Sequence, residues 1–168
     1  MDRSSWWSKA TGFLRGGSAA TNSAAKDHAT NHSTRRGPRL VIDTNIFIAA
    51  VRAPNSSSRR LLDSVADGRA TLLVSRSVFV EYQRILSKAV GGGEREQLIR
   101  RWIAAAETID ASRGPRIVPD DPDDDKFVEL ALVGEADAIV SNDSHLLEIA
   151  HQSKIPILRP GDALRELV

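Results

Sequence analysis

The chain has 168 residues, 41% of them hydrophobic and 27% charged, enough apolar material for one ordinary domain with one core and too little chain for two. Cysteine is absent, which excludes disulfides, zinc–cysteine sites, iron–sulfur clusters and thiol nucleophiles and fits a reducing, cytoplasmic setting. The longest unbroken apolar run, Ile46 to Val51, is far short of the roughly 20 residues that span a bilayer, so no membrane association is expected.

The net charge of +1 hides an asymmetry. Residues 1–38 carry six basic side chains against two acidic ones, leaving 17 basic and 20 acidic groups, a net of −3, in residues 39–168. The first segment is rich in Ser, Ala, Thr, Asn and Gly without a hydrophobic period, and such a composition cannot bury enough surface to offset chain entropy. It reads as a disordered basic tail. Trp6, Trp7, Phe13 and Leu14 allow one short amphipathic turn, and the Ser-rich, acid-poor composition also suits a transit segment or a misplaced start.

From residue 39 the texture is α/β. Short apolar runs at Leu40–Ile42, Ala70–Val74, Arg116–Val118, Ala138–Ser141 and Ile155–Leu158 predict buried strands. Helical periodicity appears at Ser58–Ala66, Val78–Lys88, Glu94–Glu107, Lys126–Val133 and Ser144–His151, with a short closing helix at Gly161–Val168. Near-continuous apolar strands separated by helices predict a parallel sheet covered on both faces. Gly91–Gly93 follows no strand and lacks the spacing of a phosphate-binding loop, so it reads as a break between helices.

Ligands of an open parallel sheet bind outside the carboxyl ends of its strands. Asp43 follows the first strand and Asp143 follows the fourth. Glu81 falls on or beside the apolar stripe Val78, Tyr82, Ile85 and Leu86, where a surface helix places no acid. Asp125 ends the run Asp120–Asp125 just before a helix bearing Phe127, Leu130 and Ala131. Each acid also has a plainer reading. Asp43 and Asp143 suit N-caps, Asp125 suits a helix first turn, and Glu81 suits an ion pair with Arg84. Convergence of all four at one sheet end is what favours a site.

Clustered carboxylates repel; one pair about 4 Å apart costs roughly 4 kcal/mol at an effective dielectric of 20. A divalent cation neutralises such a cluster, and an all-oxygen donor set suits Mg²⁺ or Mn²⁺ rather than zinc. Two histidines lie in the tail and two, His145 and His151, on one late helix, which does not suit metal ligation. Carboxylate-held Mg²⁺ that activates water is the chemistry of phosphodiester hydrolysis.

The ordered set Val41-Ile42-Asp43-Thr44-Asn45, Val80-Glu81-Tyr82, Asp121-Pro122-Asp123-Asp124-Asp125-Lys126-Phe127 and Ala136-Asp137-Ala138-Ile139-Val140-Ser141-Asn142-Asp143 resembles the PIN-domain family. Within it the likeness is to the VapC-like ribonucleases of bacterial toxin–antitoxin pairs, over about residues 39–160. The resemblance implies a three-layer α/β/α fold with a parallel sheet in the order 3-2-1-4-5. It further implies a Mg²⁺- or Mn²⁺-dependent endoribonuclease with the acidic tetrad Asp43, Glu81, Asp125 and Asp143. Asp43, Asp125 and Asp143 would hold the metal, Glu81 would position water, and Asn45 and Ser141 would support them. His145 stands where the family often has a further acid. Arg52, Arg59, Arg60 and Arg76 are candidates for holding RNA phosphates. An RNA substrate, a cognate antitoxin and a homodimer, built on an apolar face within residues 78–107, are the partners implied.

A dehalogenase-type phosphatase would need a second Asp where Asn45 stands, and a calcium loop at 121–132 would need glycine where Lys126 stands. The alternatives that stay open are a PIN-fold module that binds RNA or protein without cutting, and an RNA-processing nuclease with no toxin role.

Overall fold

The computed structural model describes residues 37–148, 150 and 153–168 apart from 112–121, and the side chains of 122–125 fall outside that description. The expected tail therefore lies, but for its last two residues, outside the described residues. In chain order the elements are β1 (Arg39–Ile42), α1 (Thr44–Arg52), α2 (Ser57–Ala66), β2 (Thr71–Val74), α3 (Arg76–Ala89), α4 (Glu94–Ala104) and β3 (Glu107–Thr108). Then follow α5 (Pro122–Val133), β4 (Ala138–Val140), α6 (Ser144–Glu148), β5 (Ile157–Leu158) and α7 (Pro160–Glu166).

The five strands form one sheet in the order β3-β2-β1-β4-β5, every neighbouring pair parallel, as the family resemblance implies. Successive strand side chains point to opposite faces. Leu40, Val41 and Ile42 of β1 and Ala138, Ile139 and Val140 of β4 are nevertheless all fully buried, so both faces of the sheet centre are covered by helices.

Two features depart from the sequence expectation. The strand beside β2 is Glu107–Thr108, in register with Leu73 and Val74, at the place where helical periodicity predicted the end of a helix. The expected strand at Arg116–Val118 lies outside the described residues. The apolar run Ile46–Val51, which shows no helical period in the sequence, lies within α1. Asp43 caps that helix, with extended backbone (φ −62°, ψ 144°) and a side chain that accepts from Asn45 N.

The helix side of the core is organised by aromatics. Phe47 on α1 contacts Tyr82 of α3 at 4.8 Å and Trp102 of α4 at 6.2 Å between ring centroids. Trp102 is wholly buried and donates its indole N–H to Asp63 Oδ1 (3.0 Å). At the N-terminal edge of the sheet, Arg39 joins β1 to Glu107 of β3 (2.8 Å) and to the carbonyl of Gly134 (2.9 Å). That ion pair stands at the end of the sheet away from Asp43 and is structural.

Candidate functional site

The register sets the site. Ile42 pairs with Val140, so β1 and β4 end side by side and Asp43 emerges next to Ser141. Asp43 N donates to the Val140 carbonyl (2.9 Å), which extends the strand pairing to the acid itself. Below it, the Tyr82 hydroxyl donates to the Ile42 carbonyl, so α3 grips β1 at the residue before Asp43.

Asp43 is 4% exposed. Its Oδ1 accepts from Asn45 N (3.1 Å) and its Oδ2 from the Ser141 hydroxyl (2.6 Å). The same Ser141 oxygen accepts from Asp143 N (2.9 Å), and Asp143 Oδ1 accepts from His145 N (2.8 Å). One buried serine thus ties the two strand-end aspartates together. Both acids also fill the plainer role foreseen for them, since each carboxylate holds a backbone N–H at the start of a helix.

Glu81 arrives from α3, whose start is fixed by Ser75 accepting from Val78 N (3.3 Å). Its Oε1 accepts from the Thr44 hydroxyl (2.8 Å), and its Oε2 pairs with the Lys126 ammonium of α5. The ion pair with Arg84 is therefore replaced by one with Lys126. Arg84, one turn after Glu81, instead lines the same cleft.

That cleft, of about 160 Å³, is lined by Asp43, Asn45, Glu81 and Asp143 among the predicted residues, and also by Thr44, Arg84 and Lys126. The four predicted arginines are absent from its lining: Arg59 pairs with Asp63 (2.9 Å) against the Trp102 ring, Arg60 reaches back toward Ser57 (3.4 Å), and Arg52 and Arg76 are exposed at helix ends. A signal for Arg84 existed in its spacing of three from Glu81 on one helix face. Lys126 had a weaker one, as the residue between Asp125 and the buried Phe127.

Electrostatically the cleft is short of positive charge at Asp43. Burial pushes its carboxyl above the ordinary aspartate value. The hydrogen bonds from Ser141 and Asn45 work against that, and the charges of Asp143 and Glu81 add to it. Tyr82 is pushed well above the ordinary tyrosine value by burial and by the Asp43 and Glu81 charges, so its hydroxyl stays protonated and donating. Among the described residues, no group of three or more His, Asp or Glu is gathered closely enough to hold a metal ion. The side chain of Asp125, on the first turns of α5, lies outside the described residues. The donors that are described are hard oxygens whose mutual repulsion a cation would relieve, and they fit Mg²⁺ or Mn²⁺.

No helix among the described residues is long and apolar enough to cross a membrane. Among relatives, an uncharacterised protein, MJ1680, of Methanocaldococcus jannaschii is 27% identical over 124 residues, covering 69% of this chain and 77% of its own. The crystal structure of VapBC2 from Rickettsia felis, bound to a DNA fragment from their promoter, aligns with 72% of this chain and 98% of that chain. That alignment has 18% identity and a TM-score of 0.49. The family model described as PIN domain matches residues 39–145, more than half of the chain and both strand-end aspartates. The protein belongs to the PIN domain family.

Proposed function

We propose that the chain is a Mg²⁺- or Mn²⁺-dependent endoribonuclease, the toxin of a type II toxin–antitoxin pair with a protein antitoxin as its partner. The observation that carries the reading is the Asp43–Ser141–Asp143 bridge, with Glu81 lining the same cleft, in a chain of this family. Asp43, Asp125 and Asp143 would hold the ion. A bound divalent ion would supply activated water and neutralise charge developing on the phosphate.

The chain's own residues do the rest. Ser141 fixes the Asp43 carboxylate, and the Asp43 and Asn45 backbones set its direction. Glu81, held by Thr44 and Lys126, offers a carboxylate oriented into the cleft that accepts a hydrogen bond from water. Arg84 stands at the cleft as the group for the scissile or neighbouring phosphate, a role the four predicted arginines would fill only at a distance. Single-stranded or looped RNA, whose backbone can be splayed, suits a recessed acidic cleft.

The test is cleavage of single-stranded RNA with Mn²⁺ or Mg²⁺, with EDTA, and with Asp143→Asn. Turnover should fall at least about 100-fold on chelation or substitution, the scale of losing a group that stabilises transition-state charge. Turnover indifferent to both refutes the nuclease reading, and RNA binding without cutting would assign the fold a binding role instead. Induced expression should arrest growth, with relief by the product of a small adjacent gene. Harmless expression of a cleaving enzyme would remove the toxin role and leave the nuclease.

A further inference from the structure

Glu81 faces the cleft already matched by a cation. Its two oxygens are taken by the Thr44 hydroxyl (2.8 Å) and the Lys126 ammonium, and the Glu81 and Lys126 side chains are only 12% and 16% exposed. Lys126 Nζ also lies 5.5 Å from the ring centroid of the buried Phe127, so the ammonium is held between the acid and an aromatic ring. Asp43 and Asp143 differ. From the described residues they receive hydrogen bonds and no ion pair.

We infer that Lys126 is a positioning residue that withholds Glu81 from metal ligation and stands in for a second cation, so that the cleft takes one divalent ion, on its Asp43–Asp143 side. The inference rests on the metal-dependent reading above and goes beyond it by fixing the number of ions. Charge balance supports it. The three described acids meet two cations of the chain, Lys126 and Arg84, so one divalent ion leaves a single positive charge, and counting Asp125 brings the balance to zero. A second divalent ion would have to sit against the ammonium or expel it from a largely covered ion pair, losing an attraction that the low-dielectric surroundings make strong.

The experiment counts Mn²⁺ bound to the full-length, metal-stripped protein by calorimetry and by the free-Mn²⁺ spin-resonance signal. RNA cleavage with and without EDTA is measured on the same preparations. Wild type should bind one ion per chain. Lys126→Met, which keeps most of the aliphatic stem, should bind two, and Lys126→Arg should keep one. Two ions on wild type overturn the inference whatever the variants do, which also decides the matter if Lys126→Met does not fold. A folded Lys126→Met that still binds one ion overturns it as well. Either result with EDTA-sensitive cleavage refutes the role of Lys126 alone. No bound ion and EDTA-insensitive cleavage refute the metal-dependent reading, and this inference with it.

Discussion

Asp43→Asn separates a site acid from a mere helix cap. The side chain is 4% exposed, and in the fold its neutral form is favoured relative to ordinary aspartate, so burial and the neighbouring charges outweigh the bonds from Ser141 and Asn45. An amide of the same shape keeps the acceptor for Asn45 N. It loses the acceptor for the Ser141 hydroxyl, costing about 1 kcal/mol, and removes a charge that burial, and after it the Asp143 and Glu81 charges, disfavours by more than that bond returns. The metal-free variant should therefore be about 1 kcal/mol more stable at pH 7, about 4 °C in Tm for a domain of this size. The sign fixes the pH dependence. Because the folded pKa is raised, the native state holds the extra proton, so wild type loses stability as pH rises from the ordinary aspartate range through the folded value. The two melting curves should converge below pH 4, where Asp43 is protonated in both states, and separate above it. Thermal melts in EDTA across this range, paired with Mn²⁺ binding and RNA cleavage, make the assay. Lower stability of Asp43→Asn at pH 7, with metal binding intact, would show the carboxylate to be a structural cap and refute the reasoning.

Two further substitutions probe the scaffold. Tyr82→Phe removes the hydroxyl that donates to the Ile42 carbonyl from a wholly buried ring, and should cost about 1–2 kcal/mol in urea unfolding. An unchanged midpoint would mean that α3 does not hold the end of β1. Gly134→Ala would put a Cβ 2.8 Å from Leu73 Cδ1 and 2.9 Å from the Leu130 carbonyl, closer than real contacts allow. The overpacking should destabilise by about 1–3 kcal/mol, and a variant melting with wild type would contradict the close packing of the α5–β4 turn on β2.

The parts of the fold legible in the sequence are those written in local patterns. β1, β2, β4 and β5 are apolar runs, and α2 and α3 show one-sided stripes. β3 is different: Glu107–Thr108 is two polar residues long and contains no apolar run. It is a strand because Ile109 N donates to the Val74 carbonyl (2.9 Å) and Arg39 grips Glu107 (2.8 Å), contacts made across long separations that no local window records. Helix α1 is hidden in the sequence for a different reason. Its apolar residues form the unbroken run Ile46–Val51, which in so short a stretch reads as strand or helix alike, and its packing against α2, α3 and α4 decides for the helix. The strand-end acids were visible because a parallel sheet defines where to look. The cation at Glu81 is not, since Lys126 meets that helix acid from 45 positions away and nothing in the local pattern announces the pair.

That Asp43 and Asp143 stand at strand ends while Glu81 and Lys126 come from helices bears on how the cleft works. Among the described residues no buried side-chain nitrogen or oxygen lacks a hydrogen-bond partner. The strain at Asp43 is therefore electrostatic and not a shortage of hydrogen bonds. Nor can movement relieve it cheaply. Asp43 follows the wholly buried Leu40–Ile42, its carboxylate is fixed by Ser141, and the strand end is clamped by a tyrosine that leans through Phe47 on Trp102. A rigid backbone that keeps like charges together preserves their affinity for a positive charge in place of dissipating it by rearrangement. The same packing that stabilises the domain thus holds the disfavoured Asp43 charge in the lining of the cleft.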